Sequence, residues 1–172
     1  MTFLDLARAR YSVRAFDPRP VETDKLELIL QAVQAAPSAC NYQPVRILVL
    51  QKPADLKKFS YMSRSIFGAP LALIVCADTS VAWVRGFDKL NHAGADACIA
   101  ATHIMLAATE LGLGTTWIGN FNPELLCKEF EIPEQFAPIC ILPLGYPASS
   151  ATPSDRHENR KPLEETIFYD HF

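Results

Sequence analysis

The chain has 172 residues, of which 49% are hydrophobic and 20% are charged, and this composition predicts a single folded domain over residues 1–172. Its 16 Lys and Arg against 19 Asp and Glu argue against a nucleic-acid partner, because such binders need excess positive charge. Apolar runs fall short of the ~20 residues of a membrane span, and no signal core opens the chain, so we expect a cytoplasmic protein without a membrane partner.

Hydrophobic periodicity predicts two helices in the first part of the chain. Residues 2–9 are predicted to form a helix, because their apolar side chains have helical spacing and Thr2 is a favourable N-cap residue. Residues 23–36 give a stronger helical pattern with one apolar face. Pro37 ends this second helix, because proline disfavours helical backbone in the residue before it.

Two strands and a long helix are predicted next. The β-branched runs at residues 45–51 and 71–77 predict buried strands. The alanine-rich residues 92–111 form a predicted helix that ends before Gly112, and its largely apolar circumference places it in the middle of the structure. One stripe of this helix is polar, and we interpret it as a rim facing solvent or a partner subunit: Asp96, His103 and Glu110.

The last third of the chain completes the predicted fold. A strand-like segment covers residues 115–121, a short helix starts at Pro123, a strand covers residues 136–142, and residues 149–161 form a polar extended tail. Strands separated by helices, without a regular βαβ repeat, predict a sheet covered by helices on both faces. The glycine-rich fingerprints of dinucleotide-binding and P-loop proteins do not occur in this sequence.

Cysteine and histidine spacing argues against a metal site. The five cysteines form no C-x-x-C pair, and the four histidines show no ligand spacing. We expect Cys76, Cys98 and Cys140 to be small core residues, because each lies in an apolar segment.

The first segment with chemical potential is RYSVR at residues 10–14. Arg10 and Arg14 are four residues apart, so a helical turn would place both on one side with the Ser12 hydroxyl between them. Two guanidinium groups and a hydroxyl suit a phosphate monoester. The alternative is a solvated basic end of a helix.

The second segment is PSACNYQP at residues 37–44. Its two prolines restrict the backbone, and the amides of Asn41 and Gln43 offer both donors and acceptors, as recognition of a heterocycle edge requires. The alternative is ordinary turn chemistry. Cys40 is a weak candidate for a nucleophile, because no nearby histidine would lower its pKa.

Two further segments complete the set. In LGLGTTWIGNF, glycines such as Gly119 would let a planar ligand approach the backbone, although a helix end followed by a buried strand is the alternative. The basic RHENRK run at residues 156–161 would by charge alone be a solvated tail.

The order of these segments along the chain resembles that of the FMN-dependent nitroreductase family. The segments are RYSVR, PSACNYQP, LGLGTTWIGNF, and GYP followed by RKPLEE, and the resemblance covers nearly the whole chain. The resemblance implies an α+β fold of three α/β/α layers, in which helices flank a central, mostly antiparallel sheet. It also implies an intertwined homodimer with FMN bound at the interface.

The implied flavin contacts come from both chains. Arg10 and Ser12 would hold the phosphate, Tyr11 lies in the same motif, and Arg14 would lie near the pyrimidine side of the ring. The C-terminal segment would close over the phosphate with Arg160 and Lys161.

The partner chain would supply Pro37, Ser38 and Asn41, with Gln43 as a further contact. The backbone amides of Gly119 and Asn120 would donate to the hydride-accepting nitrogen.

The implied activity is ping-pong hydride transfer from NADH or NADPH, through FMN, to a nitroaromatic, a quinone or a related small acceptor. No catalytic side chain is then required, because the cofactor performs the chemistry. Two alternatives stay open: an FMN-binding storage or sensing protein, and a specialised relative that dehalogenates substrates or consumes its own flavin. We expect residues 78–90 to cover the flavin or the interface, or to be a hydrophobic anchor.

Overall fold

An antiparallel sheet forms the centre of the computed structural model, which describes residues 1–63 and 66–172. Its strands are β1 (Val45–Leu50), β2 (Leu71–Asp78), β3 (Gly114–Thr115) and β4 (Phe136–Gly145). They lie in the order β1-β2-β4-β3, and every neighbouring pair is antiparallel. The helices are α1 (Phe3–Ala9), α2 (Thr23–Ala35), α3 (Pro53–Met62), α4 (Ala93–Glu110) and α5 (Pro123–Glu129).

Helices cover both faces of the sheet, and strand β2 shows how the layers form. Alternate side chains of a strand point to opposite faces. Leu73 and Val75 pack in the cluster that contains α2 and α4 residues, whereas Ile74 packs with Phe59 of α3 and Leu126 of α5. The predicted α+β fold with three α/β/α layers is therefore confirmed.

Helix α1 starts as its sequence predicts. The Thr2 side chain accepts a hydrogen bond from the Asp5 backbone N–H at 3.2 Å, and the Asp5 carboxylate accepts one from the Thr2 N–H at 2.9 Å. This reciprocal capping box satisfies backbone donors that the first helical turn would leave unpaired.

Helix α4 spans 18 residues in the middle of the structure, as predicted. Its inner face is lined by small side chains with no solvent exposure, including Ala97, Ala100 and Ala108. Gly112 adopts a φ of 74°, and this left-handed residue ends the helix. The prediction of a polar rim is wrong for Asp96, which is only 2% exposed because it contacts another segment of the chain.

Three local predictions differ from the structure. Helix α3 was not predicted. The predicted strand at residues 115–121 shortens to β3 followed by two isolated bridges, Ile118 with Ile141 and Phe121 with Ser63, because the chain leaves the sheet edge. Cys98 lies on the exposed face of α4, unlike the buried Cys76 and Cys140. None of the helices in the described ranges has an apolar stretch long enough to cross a bilayer.

Candidate functional site

The segment at residues 10–14 is extended, so the prediction of a helical turn there is wrong. Helix α1 ends at Ala9, and the Val13 backbone N–H donates to the Thr115 carbonyl oxygen at 2.9 Å. Gly114 makes this pairing possible, since a Cβ atom there would lie 2.4 Å from Val13 Cγ2. In extended backbone, alternate residues share a side. Arg10 and Ser12 therefore lie on the side opposite the buried Val13.

Arg10 lies in an environment of uncompensated positive charge. Burial lowers the pKa of Arg10, and the nearby Arg160 cation lowers it further. Within the described residues, no carboxylate lies at ion-pair distance from either guanidinium group. Two cations that approach each other without a protein anion form a site suited to an anionic ligand.

The C-terminal segment packs back onto the amino-terminal segment. His157 Nε2 lies 3.0 Å from the Arg8 carbonyl oxygen, and the His157 ring meets the Tyr11 ring edge-on with centroids 6.3 Å apart. Sequence reasoning missed this contact, which joins the tail that carries Arg160 to the segment that carries Arg10. Lys161 instead lies 3.5 Å from the Glu165 carboxylate.

Arg14 is exposed and lies against its own segment. Its Nη1 atom donates to the Ser12 carbonyl oxygen at 3.4 Å. The guanidinium group therefore stays beside the Ser12 backbone and accessible to a ligand.

The second predicted segment, which we call the 37–43 loop, has an unusual backbone. Cys40, Asn41 and Gln43 have φ values of 51°, 55° and 50°, a region that non-glycine residues occupy at a cost. The Gln43 backbone N–H donates to Ser38 Oγ at 2.9 Å, and Gln43 Nε2 donates to Asn41 Oδ1 at 3.2 Å. Pro37, at the start of the loop, is exposed.

Two charged residues outside the loop fix its position. Asp96 Oδ1, in the first turn of α4, accepts a hydrogen bond from the Ala39 backbone N–H at 2.9 Å. Arg46 Nη1 donates to the Gln43 carbonyl oxygen at 3.0 Å, while Arg46 Nη2 lies 3.2 Å from the Asp78 carboxylate. Sequence reasoning missed both contacts, since neither residue belongs to a recognisable motif.

The Gly119 and Asn120 backbone offers free donors. Ile118 exchanges two backbone hydrogen bonds with Ile141, at 2.9 and 3.0 Å, and the chain then crosses to α3, where Asn122 N–H donates to the Met62 carbonyl oxygen. Between these fixed points, the N–H groups of Gly119 and Asn120 donate to no acceptor in the described part of the chain. Asn120 also lines an open cavity of about 620 Å³.

Residues 79–92 form a compact hairpin-like segment before α4. The Arg85 N–H donates to the Leu90 carbonyl oxygen at 2.9 Å, and Arg85 Nε donates to Asp88 Oδ1 at 2.8 Å. This turn presents Phe87, whose side chain is 100% exposed. The segment lies at the start of α4, as the 37–43 loop does.

The predicted site residues fall into groups at opposite ends of α4. Arg10 and Ser12 lie beside Thr115, just beyond the end of the helix, whereas the 37–43 loop contacts Asp96 in its first turn. At 1.5 Å per residue, the two ends are about 25 Å apart. One chain therefore does not bring the two groups together around one small ligand.

Comparisons with known proteins agree on one family. The nitroreductase family model matches residues 7–69 and 61–146. A Methanothermobacter thermautotrophicus protein, whose name proposes NADH dehydrogenase or NAD(P)H nitroreductase activity, is 33% identical over 157 residues, which cover 87% of this chain and 80% of that protein.

Solved structures agree with this match. A nitroreductase family protein from Clostridium difficile 630 is 39% identical and superposes with a TM-score of 0.91 over 100% of both chains. An FMN-dependent nitroreductase from Clostridium difficile R20291 is 25% identical, with a TM-score of 0.82 over 99% of this chain and 100% of that chain.

Proposed function

The chain belongs to the nitroreductase family, and from this premise we propose that it is a flavin oxidoreductase that binds FMN and takes electrons from NADH or NADPH. When bound, FMN supplies the hydride chemistry, and the protein supplies binding, orientation and electrostatics. The electron acceptor in this proposal is a nitroaromatic, a quinone or a related small molecule.

The observation that supports FMN most strongly is a pair of guanidinium groups, Arg10 and Arg160, that form no ion pair with any described residue. Burial lowers the pKa of Arg10, and the charge of Arg160 lowers it further. A phosphate monoester would supply the missing negative charge and accept charge-assisted hydrogen bonds from both. The Ser12 hydroxyl, on the same side of the extended segment, is an additional donor for the phosphate.

The ring system would lie against backbone and polar side chains. The free N–H groups of Gly119 and Asn120 can donate hydrogen bonds to a flavin ring nitrogen. Arg14 is exposed beside the Ser12 backbone, from where its charge would stabilise the anion that forms on the pyrimidine edge of the reduced flavin. In this arrangement Tyr11 braces the segment through His157, and Lys161 supplements the positive charge from the tail.

We propose that two copies of the chain form each site. The exposed face of α4 carries Cys98, Ile99 and Thr102, and Ile99 is 37% exposed although it is apolar. Antiparallel packing of this face on its copy would bring the start of one α4 to the end of the other. Pro37, Ser38, Asn41 and Gln43 of one chain would then complete the site that Arg10 begins in the other. Sedimentation of the flavin-loaded protein tests this, since a stable monomer would contradict it.

In the proposed dimer, residues 79–92 would lie at the same site as the 37–43 loop, because both segments lie at the start of α4. Phe87 lies at the tip of a braced turn at the start of α4. We propose that this segment covers the partner's flavin or the interface around it. An exposed aromatic ring there would give planar acceptors a surface to stack on.

The free thiols fit a cytoplasmic location. Cys40 is exposed and unpaired, and Cys98 is unpaired on the α4 face that the proposed dimer covers. Exposed free thiols persist in reducing compartments, where disulfides are rare. The use of NADH or NADPH as electron donor agrees with the same cytoplasmic location.

An anaerobic titration tests the proposed activity. NADH and NADPH are added separately to the FMN-loaded protein while the flavin absorbance is recorded, and a nitroaromatic or a quinone is then added. We expect the band to bleach with at least one donor and to recover with the acceptor. A band that persists with both donors would refute the oxidoreductase and favour FMN storage or sensing. Product analysis with a halogenated aromatic identifies the dehalogenating alternative.

A further inference from the structure

We propose that Asp96 is a positioning residue for the flavin, acting through the 37–43 loop; this inference rests on the proposed function. Its carboxylate does not reach the other predicted contacts, which belong to Arg10 and its neighbours beyond the opposite end of α4. Asp96 instead fixes the direction in which Ser38 and Asn41 face the partner chain.

The contact joins a buried carboxylate to a partly buried backbone N–H group. Asp96 Oδ1 accepts the Ala39 N–H at 2.9 Å, and the residue is 2% exposed. A hydrogen bond to a charged acceptor is stronger than a neutral one and resists replacement by water when it is buried. The other side-chain hydrogen bonds of the loop, from Gln43 to Ser38 and to Asn41 and from Arg46 to Gln43, are exposed to solvent, and two backbone bonds close the turn itself. Asp96 is therefore the less exposed of the two charged side chains that hold the loop from outside, and Arg46 is the other.

The backbone of the loop needs such external contacts. Cys40 and Asn41, the two residues after Ala39, both adopt left-handed φ values. Strained conformations of this kind persist only where the surrounding structure fixes them, and they concentrate at ligand sites. Fixing the Ala39 N–H restrains the turn between Ser38 and Asn41, so both polar side chains keep their directions.

The first turn of α4 does not by itself require this burial, because a negative charge is favourable there also when it is exposed to solvent. Asp96 Oδ2 is buried and has no hydrogen-bond partner among the described residues. An unsatisfied buried oxygen costs stability. A carboxylate at this position is thus explained by the loop it holds.

The test compares three variants with the wild-type protein. Asp96→Leu fills a similar volume but has no hydrogen-bond acceptor. Asp96→Asn keeps a side-chain oxygen that can accept the hydrogen bond from the Ala39 N–H. Thr109→Ala is the matched control, because the Thr109 hydroxyl donates only within α4, to the Met105 carbonyl oxygen. FMN affinity is measured by titration of the apoprotein, and amide exchange of residues 38–43 is measured without FMN.

We expect Asp96→Leu to weaken FMN binding about tenfold and to speed amide exchange in the loop, as loss of one charged hydrogen bond predicts. Asp96→Asn and Thr109→Ala should stay within about threefold of the wild type in both measurements. Adding Cys40→Gly to Asp96→Leu should recover part of the affinity, because glycine adopts positive φ without a Cβ penalty. If Asp96→Leu does not fold, Asp96→Ala takes its place in the same comparison.

The outcomes separate this inference from the proposed function. Unchanged exchange and unchanged affinity in Asp96→Leu would overturn the positioning role while FMN binding stands. Equal losses in Asp96→Asn and Asp96→Leu would also overturn it, because the acceptor would then not be the cause. A wild-type protein that binds no FMN would refute the proposed function, and exchange in the apoprotein would still decide whether Asp96 fixes the loop.

Discussion

Arg10→Ala should weaken FMN binding by removing one cation from the proposed phosphate site. A hydrogen bond to a charged group contributes ~1.5–3 kcal/mol. The lower end applies here for two reasons. Arg160 stays in place, and the change relieves the repulsion that lowers the pKa of Arg10 in the free protein. A loss of about 1.5 kcal/mol corresponds to roughly a tenfold increase in Kd.

The assay is a fluorescence titration of apoprotein with FMN and, separately, with riboflavin, which lacks the phosphate. Arg8→Ala is the matched control, since it removes the same charge two residues earlier, where only the backbone carbonyl contacts His157. Ionic strength is held constant, because salt screens exposed charges.

The comparison of ligands isolates the role of Arg10. We expect Arg10→Ala to weaken FMN binding and to leave riboflavin binding unchanged, with Arg8→Ala close to the wild type. Equal losses for both ligands, or equal losses in both variants, would refute the assignment of Arg10 to the phosphate.

Three further predictions concern the scaffold, and urea denaturation measures each. Gly114→Ala should destabilise the protein by ~1–3 kcal/mol, because its Cβ would lie 2.4 Å from Val13 Cγ2; unchanged stability would contradict the close approach. Tyr146→Phe should cost ~1–2 kcal/mol, because the buried hydroxyl accepts from Lys25 Nζ at 2.6 Å and donates to Glu22 Oε2 at 2.8 Å. The pKa of Glu22 is lowered, first by its backbone hydrogen bond and then by the Tyr146 hydroxyl. The contribution of ionised Glu22 to the stability of the fold is therefore present above its unfolded-state pKa. It is lost as the pH falls through the lower folded-state pKa. The difference in the free energy of unfolding between the wild type and Tyr146→Phe should therefore become smaller from about pH 7 to about pH 3. A difference that stays constant would exclude this linkage.

Local sequence signals predicted the elements whose stability is local. Thr2 identifies the start of α1 as an N-cap residue, and the alanine-rich run identifies α4. The layer order also follows from sequence, because β2 is apolar from Leu71 to Ala77 and must be covered on both faces.

Contacts between distant segments explain what sequence could not predict. Residues 10–14 are extended because Val13 pairs with Thr115, which lies on the far side of α4 in sequence. Asp96 is buried because its partner is the Ala39 backbone N–H, 57 residues earlier. Backbone partners leave no residue-type signal, so both the helical turn and the polar rim were reasonable patterns that tertiary pairing overrode.

A mixed dimer gives the most direct test of a flavin site shared by two chains. Arg10→Ala and Asn41→Ala chains with different affinity tags are coexpressed, and the doubly tagged dimer is purified and titrated with FMN. The account predicts that both homodimers bind weakly, whereas the mixed dimer holds one FMN with wild-type affinity, because one of its sites receives both wild-type residues. A mixed dimer without a tight site would show that both residues act within one chain, which contradicts the shared site.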